Sequence, residues 1–231
     1  MKNISIIFCM IVLCGCATKQ TFYIGEQYLG AKYKNNPLGE EKLPDNDPLI
    51  RTDVFDCMTF VETVLAHDNV DKLTKIRYKN GDIDFINRNH FVETDWLKNN
   101  ANIIKNVSYN YGKTDIRTVK IDKKSWFKKM YQIDTDFNPE IIDLEYIPYT
   151  NITNIKNDKT LVVLFVTDNP TLAKKIGTDL AITHVGFLLP NGTLRHASRE
   201  QGYVADVNFN EYIKHKKQNK NNIGIMLLEI K

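Results

Sequence analysis

The chain has 231 residues, 42% of them hydrophobic, enough to bury one substantial core with a smaller helical lobe beside it. Its 31 Lys and Arg nearly balance 28 Asp and Glu, a net +3 that leaves no electrostatic footprint for a nucleic acid. The one basic run, Lys214-His215-Lys216-Lys217, reads as a solvated helix end.

At the amino terminus, Lys2 precedes an apolar run from Ile4 to Leu13, about ten residues and within the length of a secretory h-region. A bilayer span needs roughly 20. The run ends in Leu13-Cys14-Gly15-Cys16, which resembles the lipobox of bacterial lipoproteins. The resemblance implies that residues 1–15 are a cleaved signal, that Cys16 is lipidated, and that 16–30 form the anchor and tether. The alternative is a cleaved signal whose Cys14 and Cys16 are incidental. The protein is then expected to be exported and lipid-anchored to the cell envelope, on the periplasmic side or the outer membrane, held by acyl chains without crossing the bilayer. Of four cysteines, Cys9 and Cys14 leave with the signal and lipidation consumes Cys16, so Cys57 remains. A lone thiol in an oxidising compartment is either reactive or a small buried hydrophobe, and its spacing leaves both open.

Residues 31–231 read as one catalytic unit, a helical part to about 150 and a β part from about 151. The clearest helix spans 53–68, where Cys57, Phe60, Val61, Val64 and Leu65 recur at helical spacing. Asp56 is its natural N-cap and places Cys57 in the first turn, where the helix dipole favours a thiolate and unpaired amides can meet an oxyanion. The same spacing equally suits a cysteine that merely heads a buried stripe. Ile76–Tyr78 and Ile83–Phe85 flank Asn80-Gly81 and suggest a strand pair around a turn, and Val92–Ile104 suggests a second helix. Residues 105–150 read only as mixed structure, broken at Asn138-Pro139 and Ile147-Pro148. Leu161–Val166 is an apolar, β-branched run suited to a strand buried on both faces. Strand-like runs follow at 183–189, 193–198, 203–207 and 224–230. A helix first and strands later argue an α+β fold with a mostly antiparallel sheet.

A cysteine nucleophile needs a base, and the base needs a polar group to orient it. His67, His90 and His215 sit in helical, loop or basic contexts and read as surface or structural. His184 and His196 lie in adjacent strand-like runs joined by Pro190-Asn191-Gly192. As a three-residue hairpin loop with Gly192 in the left-handed position, this pairs Leu189 with Thr193 and His196 with Gly186. Both imidazoles then emerge on one face, with room for a ring opposite Gly186, while Val185, Phe187 and Leu189 face the core. A two-residue Asn191-Gly192 turn would put the rings on opposite faces.

Asp56-Cys57, then His184-Val185-Gly186-Phe187, then His196 twelve residues after His184, resemble the NlpC-type papain-like cysteine peptidases and amidases. The resemblance implies a papain-like fold with the nucleophile helix on a β-sheet or barrel, Cys57 as nucleophile, His184 as base and His196 as its orienting residue. The usual Ser-Gly after the cysteine is replaced by Met58-Thr59-Phe60, which points to a branch. Arg51–Glu62, Ile76–Gly81, Arg88–Phe91 and Trp96–Asn100 are similar to the N-acetylmuramoyl-L-alanine amidase-like branch. Residues 150–160 depart from it, with Asn157-Asp158-Lys159-Thr160 where Gly-Asp is usual. The branch implies cleavage between the lactyl group of muramic acid and L-alanine in peptidoglycan fragments, with anhydro-muropeptides favoured. Arg51, Asp53, Asp56, Tyr78, Arg88, His90 and Trp96 are its candidate substrate contacts, each with a structural alternative. The alternatives are a γ-D-glutamyl-diamino acid endopeptidase with the same triad, and a surface lipoprotein that only binds glycan or peptide. No cofactor and no metal are expected, since one cysteine and no His-Glu-x-x-His spacing argue against zinc. A monomer is expected.

Overall fold

The computed structural model describes residues 24–38 and 50–231. The residues expected to form a signal, Cys16 and most of the expected tether lie outside them, while Tyr28, within the expected tether, is 6% exposed and packs in the core. The elements run β1 (Lys32–Tyr33), β2 (Val54–Phe55), α1 (Cys57–Ala66), α2 (Val70–Arg77), a π-turn (Val92–Trp96) leading into α3 (Leu97–Asn99), β3 (Ile104–Asn106), β4 (Asp115–Ile121), α4 (Lys123–Tyr131) and β5 (Glu140–Pro148). Then follow β6 (Leu161–Thr167), α5 (Pro170–Ile176), β7 (Ile182–Leu188), β8 (Thr193–Ser198), β9 (Tyr203–Asn208), α6 (Phe209–Lys216) and β10 (Asn222–Ile230). The strands form one sheet in the order β2-β1-β9-β8-β7-β6-β10-β5-β4, with β3 also on β10. Apart from the parallel β1–β2 pair, the pairings are antiparallel. This is the expected α+β class.

The sheet's centre is buried on both sides because β6 is apolar at every position from Leu161 to Val166. Along β6, Val162, Leu164 and Val166 enter one core cluster, with Phe60, Val61, Val64 and Leu65 of α1. The alternate Leu161, Val163 and Phe165 enter a second, with Phe209 and Ile213 of α6. Each fully buried side chain of this size contributes about 1.5–3 kcal/mol of transfer free energy, so the two faces clamp the sheet between α1 and α6.

The earlier half departs from expectation. Ile76 and Arg77 end helix α2, capped at its start by Asn69, whose side chain accepts from Lys72 N at 2.9 Å. The turn at Asn80-Gly81 is present as a short 3-10 turn, but no strand pair flanks it; Tyr78 makes an isolated bridge to Arg88. The helix expected over Val92–Ile104 is a π-turn and one short helical turn, and Ile104 begins β3. Strands β3, β4 and β5 put residues 104–148 into the same sheet as the last third.

Candidate active site

Cys57 is the first residue of α1. Asp56 caps the helix by accepting from Thr59 N at 2.8 Å, and Thr59 Oγ1 accepts from Asp56 N at 3.0 Å, so two of the helix's orphan amides are satisfied reciprocally. This is the expected cap. Thr59 through Ala66 are all buried, so the start of α1 is fixed by the core around it as well as by its cap.

The hairpin has the three-residue register. Leu189 N donates to Thr193 O at 2.8 Å, Gly192 N to Leu189 O at 3.0 Å, and Gly192 has φ +78°, the left-handed conformation. Leu188 faces Leu194 and Phe187 faces Arg195, which sets Gly186 beside His196. His184 Nε2 and His196 Nδ1 are 2.7 Å apart, with ring centroids separated by 4.9 Å. Both rings therefore occupy one face, as parity required. Val185, Phe187 and Leu189 lie in the core cluster on the α1 side, where Phe60 and Phe187 meet at 5.8 Å.

The pairing of β7 with β8 stops at Phe187 and Arg195, while β8 continues along β9 to Ser198. The two strands part where the histidines stand, and the start of α1 packs at this opening. There the Val185 amide, which a continued ladder would use, acts on the Cys57 sulfur instead. Arg195 holds the outer side of the opening through two 2.8 Å bonds to Asp206 and one of 2.8 Å to Ile24 O. Glu93, in the π-turn, accepts from Ala181 N at 2.6 Å and Ile182 N at 2.7 Å and so fixes the start of β7 two residues before His184. A π-turn at a functional site is a recurring device.

Cys57, His184 and His196 line one cavity of about 660 Å³, together with Tyr33, Asp56, Ser198, Arg199, Glu200, Tyr212 and Lys216. Cys57 is partly exposed to this cavity but crowded on its other sides. Burial first, and the Asp56 carboxylate second, push its thiol up to about 12; the amides of Val185, Cys57 and Met58 act the other way. The dipole effect expected at the helix start is thus present and outweighed, since desolvation disfavours the charged form more than three amides favour it. Burial lowers His184 well below the ordinary histidine value, aided by His196 and Lys216. His196, 1% exposed, is lowered to about 4 by burial and then by Lys216, with Asp206 opposing. The site at rest holds a neutral thiol and two neutral rings. With Nε2 of His184 engaged by His196, Nδ1 is the nitrogen available for proton transfer. Burial first, then the neighbouring Cys57 and Asp56 groups, raise the Tyr33 hydroxyl to about 12 against the opposing Arg199, so it keeps its proton in the cavity that Cys57 lines.

The expected substrate contacts scatter. Asp56 lines the cavity and is also committed to its cap. Arg88 and His90 line a second hollow of about 230 Å³ that shares Asp56 and Met58 with the first and is walled by Trp126 and Tyr131. Tyr78 and Trp96 line neither hollow: they are 1% and 0% exposed and lie in the core, Tyr78 beneath the Arg88 guanidinium at 5.5 Å. Arg51 and Asp53 satisfy each other in a forked pair at 3.0 and 2.6 Å and line neither hollow. Sequence reasoning missed Tyr33, Ser198, Tyr212 and Lys216. Ser198 shares the face of His196 by period two, and Tyr212 and Lys216 are spaced i, i+4 on α6, so a correct assignment of α6 would have found the last pair together. Among the described residues, no cluster of three His, Cys, Asp or Glu is arranged to hold a metal ion.

Fold and cleft together define an α+β protein that brings a thiol and two imidazoles to one cavity. The chain belongs to the AmiA-like family, described as N-acetylmuramoyl-L-alanine amidase-like, which matches residues 23–224. No curated protein matches it significantly. A crystal structure of a Legionella pneumophila protein assigned to DUF1460 is similar, with TM-score 0.79 and 26% identity over 90% of this chain and 86% of that one. An N-acetylmuramoyl-L-alanine amidase from Bacteroides uniformis shares the fold at TM-score 0.69 and 22% identity, covering 90% of this chain and 95% of that one. So does a Bacteroides fragilis protein provisionally named a xylanase, at TM-score 0.68 and 22% identity, over 89% and 98%.

Proposed function

We propose that this chain is a cysteine-dependent N-acetylmuramoyl-L-alanine amidase of the NlpC papain-like type, acting on peptidoglycan fragments. The observation that carries the reading is the convergence of Cys57, His184 and His196 on one cavity, with the two rings 2.7 Å apart. Membership of an N-acetylmuramoyl-L-alanine amidase-like family supports the choice of bond. The Cys57 sulfur attacks the lactyl carbonyl as its proton passes to His184 Nδ1, giving a tetrahedral oxyanion. The oxyanion is met by the Cys57 amide and, as second donor, the Tyr33 hydroxyl. The C–N bond then breaks, His184 returns the proton to the departing L-alanine nitrogen, and a thioester remains. Water, deprotonated by His184, attacks the thioester; the C–S bond breaks, a carboxylic acid leaves and the thiol is restored. His196 holds the His184 ring throughout. A neutral resting pair suits this order, because the proton moves with the attack rather than before it.

A glycosidase reading, which the name of the Bacteroides fragilis protein suggests, needs two carboxyl groups flanking a sugar. Of the carboxylates lining the cavity, Asp56 is spent on its cap and Glu200 is exposed at the rim. The finer preference for anhydro-muropeptides, and export with lipidation at Cys16, belong to the same proposal. Digestion of defined muropeptides followed by mass analysis tests it. Intact stem peptide beginning with L-alanine is the expected product, with at least about a thousandfold loss in Cys57→Ala. Peptide cut after γ-D-glutamate, or undiminished activity in Cys57→Ala, would overturn it.

A further inference from the structure

The basic run at the end of α6 is not uniformly solvated. Lys214 pairs outward with Glu211 at 3.0 Å, and Lys217 is exposed. Lys216 is half-buried and lines the catalytic cavity, its ammonium 4.8 Å from the centre of the Tyr212 ring. That ring stands edge-on to His196 at 5.0 Å, so Lys216 is carried on the side chain that walls the orienting histidine. Arg199, the residue after β8, lines the same cavity. Among the described residues neither Lys216 nor Arg199 makes an ion pair with an acidic side chain, whereas Arg51, Arg77, Arg117, Lys123, Arg195 and Lys214 each do. Glu200 also lines the cavity and is exposed, as Arg199 is, while the cavity's other carboxylate, Asp56, is committed to its helix cap.

A half-buried ammonium that faces an aromatic ring and has no acidic partner, placed beside a catalytic ring, is a ready site for an anion. The amidase substrate carries a suitable group. In a stem peptide the residue after L-alanine is a glutamate joined through its side chain, so its α-carboxylate is free. At about 3.5 Å per extended residue, that carboxylate lies roughly 7 Å beyond the scissile bond, a span that a cavity of about 660 Å³ accommodates. We propose that Lys216 and Arg199 form an anion subsite that takes the α-carboxylate of the second stem-peptide residue and makes the enzyme selective for acidic over amidated stems. This rests on the amidase reading above.

The test uses two tripeptides carrying the same sugar: 1,6-anhydro-N-acetylmuramoyl-L-alanyl-γ-D-glutamyl-lysine, and its counterpart with D-isoglutamine, in which only the α-carboxylate has become a carboxamide. The wild-type protein is expected to favour the carboxylate by about tenfold or more in kcat/KM, the discrimination one charged hydrogen bond supplies. Lys216→Met and Arg199→Gln should each bring the ratio of the two kcat/KM values toward one, and Lys216→Arg should preserve it. A wild-type ratio near one overturns the inference. So does a Lys216→Met protein that slows both substrates by the same factor, because that is what a merely structural lysine would do. If the wild-type protein cleaves neither tripeptide, the amidase reading fails and the subsite with it, a result distinct from equal cleavage of both.

Discussion

Helix α1 holds Cys57 through partners three residues apart, Asp56 and Thr59, whereas β7 and β8 hold His184 and His196 through a register that a turn and a glycine set from a distance. The first arrangement is local, and damage to it should stay local. The second is shared: any change that spreads β7 from β8 moves both rings at once, because the strands already part just beyond Phe187 and Arg195. A cleft built this way should tolerate alterations at the sulfur's cap far better than alterations between the rings, whatever the chemistry of the residues involved.

Gly186 offers the strongest way to break the comparison. A Cβ there would lie 2.9 Å from Arg195 O, 2.9 Å from the His196 Cβ and 3.0 Å from a Leu194 methyl. Two of these belong to backbone or to an atom fixed to it, so the strands must separate. Gly186→Val is expected to lower muropeptide hydrolysis by about a hundredfold, from a misplacement of about one ångström, and to cost about 1–3 kcal/mol of stability by overpacking. Activity assays beside urea denaturation measure both. Retained activity in a folded Gly186→Val protein would mean that the rings are placed by something other than this register.

The same contrast explains what could be read in advance. The hairpin was legible because Pro190-Asn191-Gly192 and a period of two leave few registers, and α1 because Asp56 and an apolar stripe announce it. The stretch from 70 to 104 was not, since its shape is decided by partners far away. Asn100 reaches back to Ile76 O at 2.9 Å, Glu62 takes the Arg77 guanidinium at 3.2 Å, and Glu93 binds amides nearly ninety residues on. Ile76-Arg77-Tyr78 looks like a strand until those partners are known. The thiol's protonation was left open by the sequence for a related reason: the helix start is visible in sequence, while the burial that outweighs it is a property of the packed molecule.

Acid titration probes the shared side with a smaller effect. An unfolded chain protonates His196 near the ordinary 6.5, the folded one only near 4, so between those values the unfolded state binds the proton better. Stability present at neutral pH is therefore lost as pH falls from about 6.5 toward 4, by at most roughly 3 kcal/mol from this ring, and His184 acts in the same direction. Replacing His196 by Gln should flatten that part of the profile, read as the difference in urea midpoint between pH 7 and pH 4.5. It should also slow hydrolysis by tens-fold, as loss of an orienting group does. An unchanged acid slope in His196→Gln would show that the buried rings do not control it.

The smallest effect belongs to the local side. Asp56→Asn keeps a side-chain oxygen for Thr59 N, and asparagine caps about as well as aspartate, so stability should change by less than about 1 kcal/mol; Asp56→Ala, which deletes the acceptor, should cost about 1 kcal/mol. Both remove the carboxylate that is the second cause of the raised thiol. The pH midpoint for alkylation of Cys57 by iodoacetamide should fall below about 12 in each variant, because desolvation then acts against the three amides without help from a neighbouring anion. Agreement of the two variants in thiol acidity, beside their disagreement in stability, separates the two tasks of one side chain: the cap is a hydrogen bond that an amide can supply, and the suppression of the thiolate is a charge that it cannot.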